Sequence, residues 1–213
     1  MQAHRRRFFS CGRCGLVSVH PADRPSAAEE RAHYATHEND VADARYRAFL
    51  DRLARPLVAR LPAGASGLDV GCGPAPALAQ LLAARGFPTA VYDPLFAPDL
   101  APLGRAYAFV TCTETAEHFH HPARDWARLF ALVRPGGVLA VMTGVLDEER
   151  DARGRFAAWR YARDPTHVAF YRPQTLVWLA RRAGWGLCRP ERHVAFFTRP
   201  ASARPVARGE ALS

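Results

Sequence analysis

An α/β fold organised on a parallel sheet is predicted by three features of the sequence. Short apolar runs alternate with helical stretches beyond Pro62, a glycine-rich turn, Gly71-Cys72-Gly73, joins the first run to the first helix, and the second run closes on an acidic residue, Asp93. Strand, helix, strand, helix in succession requires crossovers, and crossovers require parallel strands. The 213 residues, 49% of them hydrophobic, suffice for one main domain with a sizeable core and a short appendage.

Read in order, the chain begins with a hairpin-like segment, Phe8 to Val19, around Cys11-Gly12-Arg13-Cys14-Gly15, a knuckle that sets two thiols side by side. His20 to Ser26 is a proline-containing linker, so residues 1–26 are read as one unit. Residues 27–61 follow as a helical cap, in which Tyr46, Phe49, Leu50, Leu53, Leu57, Val58 and Leu61 recur at helical spacing and Pro56 implies a kink or break. The main domain is assigned to 62–198. Its elements are a strand at Leu68–Val70, a helix at Ala77–Arg85 stopped by Gly86, and strands at Thr89–Tyr92 and Ala106–Thr113. A helix at Trp126–Val133, a strand at Val138–Thr143 entered through Pro135-Gly136-Gly137, a helix at Gln174–Ala183 stopped by Gly184, and a final pair of strands in Gly186–Thr198 complete it. Residues 199–213 read as a flexible tail.

Composition excludes several classes of protein. The formal charge of +9 comes from arginine alone, the chain having neither lysine nor isoleucine, so basicity reflects residue usage rather than a nucleic-acid track. No apolar run reaches the length of a membrane span and no secretory signal precedes the fold, so a cytoplasmic location is expected. Five cysteines, Cys11, Cys14, Cys72, Cys112 and Cys188, are an odd number and argue against a disulfide framework.

The chemistry is written at the strand ends. A glycine turn lets backbone approach a ligand closely, the helix after it favours an anionic group, and the acidic Asp69 just before it suits a cationic amine. About twenty residues on, Asp93 stands where open α/β sheets hydrogen-bond a ribose. A dinucleotide turn wants a further glycine where this chain has Pro76, which speaks against a dehydrogenase.

Through Asp69-Val70-Gly71-Cys72-Gly73, Asp93, Thr113-Glu114-Thr115-Ala116-Glu117-His118 and Leu132-Val133-Arg134-Pro135-Gly136-Gly137-Val138-Leu139, the sequence resembles the class I S-adenosylmethionine-dependent methyltransferases over roughly residues 42–198. Trp159-Arg160-Tyr161 with Asp164-Pro165-Thr166-His167-Val168-Ala169-Phe170-Tyr171 looks more narrowly like a bacterial subgroup with an N-terminal cysteine pair. The resemblance implies a Rossmann-like sheet of seven strands, six parallel and the last antiparallel. It also implies that Gly71, Cys72 and Gly73 line the methionine part of the cofactor, that Asp69 lies near its amino group, and that Asp93 takes the ribose. Pro94, Thr113 and Glu114 join the cofactor site on the same grounds. Two positions depart from the family pattern: Ala75 replaces a third glycine and Ala108 a common aspartate.

Methyl transfer is an in-line displacement that asks the enzyme to align donor and acceptor and, for a weakly acidic acceptor, to remove a proton. His118, His167 and Glu117 are the catalytic candidates, against a purely structural role for His118 in starting a helix. Trp159, Tyr161, Phe170 and Tyr171 are either walls of an acceptor pocket or core. Cys11 and Cys14 are half of a tetrahedral zinc site or a vestigial thiol pair; His4, His20, His33 and His37 are the nearby residues that could complete it. The sequence is therefore read as a methyltransferase acting on a small molecule. The alternatives are a nucleic-acid or protein methyltransferase and a catalytically silent cofactor-binding scaffold.

Overall fold

The computed structural model describes residues 1–34, 43–147 and 155–202. Its centre is a six-stranded sheet of β4 (Gly67–Val70), β5 (Thr89–Tyr92), β6 (Tyr107–Thr113), β7 (Val133–Met142), β9 (Gly186–Glu191) and β10 (Val194–Thr198), in the order β5-β4-β6-β7-β10-β9. The first four run parallel, and β10 pairs antiparallel with both β7 and β9. Period-two alternation along β6 and β7 divides the core. Val110, Cys112, Leu139 and Val141 face one helical layer, α4 (Pro122–Ala131) and α7 (Pro173–Ala183), through Trp126, Leu129 and Leu176. Phe109, Ala140 and Met142 face the other, α2 (Ala44–Val58) and α3 (Ala77–Ala84), through Leu53, Leu57 and Leu82.

The described residues form six strands in this sheet, not seven. The missing strand would fall between Asp93 and Tyr107, but Pro94, Pro98 and Pro102 withhold ladder donors there, and the chain makes only an Asp93–Ala97 bridge and a 3-10 turn at Ala101–Gly104. Two boundaries also shift. α4 starts at Pro122, whose fixed φ suits a first helical position, and ends before Val133. β7 begins at Val133 and runs through Pro135-Gly136-Gly137, because a Cβ on Gly137 would sit 2.7 Å from the Ala108 carbonyl oxygen of the neighbouring strand. The helical stretch expected over 27–61 is seen as α1 (Ala27–Tyr34) and α2, and α2 continues through Pro56 for two residues before it stops. Asp43 caps α2, accepting from Arg45 N at 2.8 Å.

The N-terminal segment is structurally tied to the distal part of the chain. β1 (Gln2–Ala3), β2 (Arg6–Ser10) and β3 (Val17–Val19) form an antiparallel ribbon that pairs with β8 (Ala169–Phe170), Val17 opposite Phe170. Phe8, Val17, Val19, Leu146, Phe156 and Phe170 make a third core beneath it. Across this core the buried Arg6 guanidinium donates to the carbonyls of Ala162 (2.6 Å), Asp164 (2.9 Å), Pro165 (3.1 Å) and His167 (3.0 Å). Those carbonyls belong to α6 (Arg160–Arg163) and the loop after it; α6 follows the short α5 (Arg155–Ala158). Among the described residues no helix is long and apolar enough to cross a membrane.

Candidate active site

The carboxyl ends of β4, β5 and β6 meet at one cavity. After β4 the chain turns at Gly71, whose φ of +77° favours glycine and whose Cβ, if present, would lie 2.3 Å from the Thr115 side chain. Its N–H donates to Tyr92 O at 2.8 Å, and the N–H of Gly73, also at positive φ, donates to Asp93 Oδ2 at 3.0 Å. Asp93 Oδ1 accepts from Leu95 N (2.8 Å) and Phe96 N (3.1 Å), so this one carboxylate fixes both the glycine turn and the start of the next loop. Asp69 is buried and accepts from Thr111 Oγ1 at 2.6 Å; burial, helped by the nearby Asp93, raises its carboxyl to about 6. The Cys72 thiol, pushed up to about 12 by burial and by Asp69 and Asp93, is a space-filler in the turn rather than a nucleophile.

Pro94 and Thr113 line the same cavity, and Glu114 stands at its edge with φ +46°. A non-glycine residue in that region stores backbone strain, held here by Glu114 N donating to Met142 O at 2.8 Å. The Glu114 side chain opens onto the cavity, yet protein surrounds it closely enough that burial, together with Glu117, drives its carboxyl well above the usual range. Asp69 and Asp93 thus make this end of the cavity acidic.

The other end is built by residues far apart in sequence. Glu117 is fully buried; its Oε2 accepts from Thr143 Oγ1 (2.8 Å), which is itself in hydrogen-bond contact with Tyr161 OH (3.0 Å), and that phenol accepts from Gly144 N (2.8 Å). Glu117 Oε1 is buried with no hydrogen-bond partner among the described residues and lies 4.0 Å from His167 Nε2. The ring of His118 packs edge-on to His167 and to Tyr34, centroids 4.8 and 5.2 Å away. His118 Nδ1 meets Thr166 O (3.1 Å) and His167 Nδ1 meets Tyr161 O (2.7 Å). A carbonyl oxygen only accepts, so in both rings Nδ1 carries the proton and Nε2 keeps the lone pair in the neutral state. Burial lowers the His167 imidazole below its usual value, which favours that neutral state.

The three catalytic candidates therefore converge, and the cofactor candidates converge beside them in a single cavity of about 1560 Å³. From α1, Glu30, His33 and Tyr34 line it, held by His120 Nε2 on Glu30 (2.7 Å) and His33 Nε2 on Asp164 (3.3 Å). Of the four aromatic candidates, Tyr161 lines the cavity with Trp159 stacked on it at 5.0 Å. Phe170 and Tyr171 are core: the Tyr171 hydroxyl donates to Ala116 O and accepts from Trp126 Nε1.

The zinc half-site is not completed by the histidines named for it. His4 Nε2 contacts Ala157 O, His20 Nδ1 accepts from Ala22 N, His33 faces Asp164, and His37 lies outside the described residues. Among the described residues no third ligating side chain gathers with Cys11 and Cys14. Sequence reasoning missed Thr143 and the Arg6 clamp. Asp164, which accepts from Thr166 N (2.8 Å) and Oγ1 (2.6 Å) and so shapes the loop presenting His167, was readable as an Asp-Pro turn. Arg6, one of three consecutive arginines, carried no signal.

A mostly parallel sheet, a glycine turn at its centre and acidic side chains at two adjacent strand ends define a Rossmann-like domain, a class of fold that takes ribose-bearing cofactors at such strand ends. The family model for a methyltransferase domain matches residues 34–188, and the chain belongs to that family. Its fold is similar to that of 1,6-didemethyltoxoflavin-N1-methyltransferase from Burkholderia thailandensis, solved with 1,6-didemethyltoxoflavin and S-adenosylhomocysteine (TM-score 0.58, 18% identity, covering 92% of this chain and 99% of that one). An O-methyltransferase family protein from the same organism follows (0.55, 19%, 86% and 66%), as does a methyltransferase of calicheamicin biosynthesis in its S-adenosylhomocysteine-bound form (0.51, 18%, 82% and 59%). The chain thus spans a little under two thirds of the length of the latter two proteins. No curated protein matches the sequence.

Proposed function

We propose that the protein is an S-adenosylmethionine-dependent methyltransferase whose acceptor is a small molecule. The observation that carries this reading is the single cavity: at about 1560 Å³ it exceeds the roughly 300–1,000 Å³ that holds one ligand, and it joins an acidic, glycine-lined end to a Glu-His-His end. The acidic end fits the cofactor. Asp69, held at about 6 by burial without a cation, gains a partner in an ammonium group; Asp93, fixed by three backbone N–H groups, is rigid enough to orient ribose hydroxyls; Gly73 leaves open the space a side chain would fill.

When bound, S-adenosylmethionine supplies an electrophilic methyl group on a sulfonium centre. The protein's own residues do the rest. Asp69 and Asp93 create a negative field that favours a cationic cofactor over its neutral product, which assists product release. Tyr34 and Tyr161 narrow the cavity around the acceptor and exclude water. His118 and His167 present unprotonated Nε2 atoms to the acceptor end, able to take a proton or to orient the acceptor, and Glu117 stands behind them. The α1 residues Glu30, His33 and Tyr34, which add a wall to the cavity beyond the sheet, favour a small acceptor over a polymer.

Calorimetric titration with S-adenosylhomocysteine tests the reading, with Asp93→Ala as control and a nicotinamide dinucleotide as decoy. Micromolar binding lost in the variant supports it and justifies screening acceptors with methyl-labelled cofactor. A folded protein that binds neither ligand, or the dinucleotide alone, overturns it.

A further inference from the structure

We propose that Glu117, His118 and His167 form a binding site for one divalent first-row transition-metal ion, such as Zn²⁺, Mn²⁺ or Co²⁺, at the acceptor end of the cavity. Each residue offers one ligand atom, and these atoms all lie within 4.8 Å of one another. Two imidazole nitrogens and one carboxylate oxygen are the donors such ions take, whereas Mg²⁺ and Ca²⁺ prefer sites made wholly of oxygen.

Three further observations point the same way. Glu117 is fully buried, yet Oε1 is left without a hydrogen bond and faces His167 Nε2, an arrangement that costs free energy unless something fills the gap. Both histidines donate Nδ1–H to backbone carbonyls, Thr166 O and Tyr161 O, which fixes the tautomer that leaves Nε2 as a ligand and is the outer-shell arrangement usual for metal-bound histidine. The Thr143 hydroxyl holds Glu117 Oε2, orienting the carboxyl so that Oε1 points at the histidines. An ion with ligands at about 2.0–2.2 Å draws the donor atoms to about 3–3.5 Å from one another. Uptake therefore draws Glu117 Oε1 and His167 Nε2, now 4.0 Å apart, together by about 0.5–1 Å and closes gaps of up to 4.8 Å by a little more, so all three side chains shift inward on the ion. Three protein ligands leave positions open, facing the cavity in which the acceptor lies. A bound ion would therefore select acceptors that carry an oxygen or nitrogen donor next to the methylated atom, and the histidines would serve as its ligands rather than as bases. Only this last consequence rests on the methyltransferase reading; the ion site rests on the three side chains.

The test is titration of the Cys11→Ser/Cys14→Ser protein with Co²⁺, followed by visible absorption, so that thiols at the knuckle add nothing to the signal. One Co²⁺ per chain, with absorption displaced by Zn²⁺, is expected. His118→Gln, His167→Gln and Glu117→Gln should each weaken uptake about tenfold or more, and Thr143→Val by about tenfold through the orientation of Glu117. S-Adenosylhomocysteine binding, unchanged in each variant, shows that the fold is intact. Absence of Co²⁺ uptake by the folded protein, or uptake that the three ligand variants leave unaltered, overturns the site. Uptake by a protein that binds no S-adenosylhomocysteine leaves the ion site standing and removes the methyltransferase reading.

Discussion

The two ends of the cavity are made in different ways. The cofactor end comes from consecutive chain: Asp69 to Gly73 and Asp93 to Phe96 are two strand ends and their turns, stitched together by the Gly73–Asp93 and Gly71–Tyr92 hydrogen bonds. The acceptor end takes Glu117 and His118 after β6, Thr143 after β7, and Tyr161 from α6 and His167 from the loop after it, both clamped by Arg6 from the far end of the chain. The first is held by the central sheet and its local turns. The second depends on contacts of high sequence separation, so perturbing it should leave cofactor binding intact.

That separation can be broken from either side, the largest effects first. Replacing Glu117 with Gln or His167 with Ala should lower turnover about 10²–10⁴-fold while S-adenosylhomocysteine affinity, measured by calorimetry, stays within a factor of two or three. An equal loss of both would show that the two ends act as one unit. Gly71→Ala forces a side chain into a positive-φ turn against Thr115 and should weaken S-adenosylhomocysteine binding by about 10–100-fold while lowering the stability of the free protein by about 1–3 kcal/mol in thermal unfolding.

Arg6→Ala strands four carbonyls around a buried site and should cost about 2–4 kcal/mol in denaturant unfolding, raising the acceptor KM while the cofactor affinity holds. Lysine at this position should not restore stability, since its single ammonium cannot span the same fork. The effect of pH sharpens the cofactor end. The Asp69 carboxyl stands at about 6 in the free protein and falls once an ammonium is beside it, so affinity is full above that value and declines as pH drops through it, by about tenfold per unit. Asp69→Asn should bind more weakly and lose this dependence. The smallest effect belongs to Cys11→Ser/Cys14→Ser: Cys11 is exposed and Cys14 half-buried, and no third ligand gathers with them among the described residues, so unfolding should shift by about 0.5 kcal/mol or less.

The acidic strand ends and the glycine turn could be read from the chain because each is a local solution to a local problem: a turn at positive φ needs glycine, and the acidic residues that close β4 and β5 stand beside that turn in sequence or one strand over. The strands β4 and β5 match their apolar runs for the same reason, since alternation and turn residues act over a few positions. The absence of a sheet strand between Asp93 and Tyr107 was written in Pro94, Pro98 and Pro102, which speak against a ladder more strongly than a family pattern speaks for one. The roles of Tyr161 and Tyr171 could not be told apart in sequence. Both are aromatic residues in one short stretch, and only the path of the chain sets the Tyr161 hydroxyl on Thr143 at the cavity and the Tyr171 hydroxyl against Trp126 in the core.

By itself, then, the sequence determined the class of fold, the glycine turn and the residue types available for chemistry, because periodicity, backbone freedom and charge are properties of neighbouring residues. The tertiary structure alone decided that Glu117 would meet His167 with one oxygen unpartnered, that both imidazoles would be held by backbone carbonyls, and that Arg6 would clamp their loop. Those contacts join residues up to 161 positions apart, and local pattern carries no information about which distant groups packing brings within hydrogen-bond reach.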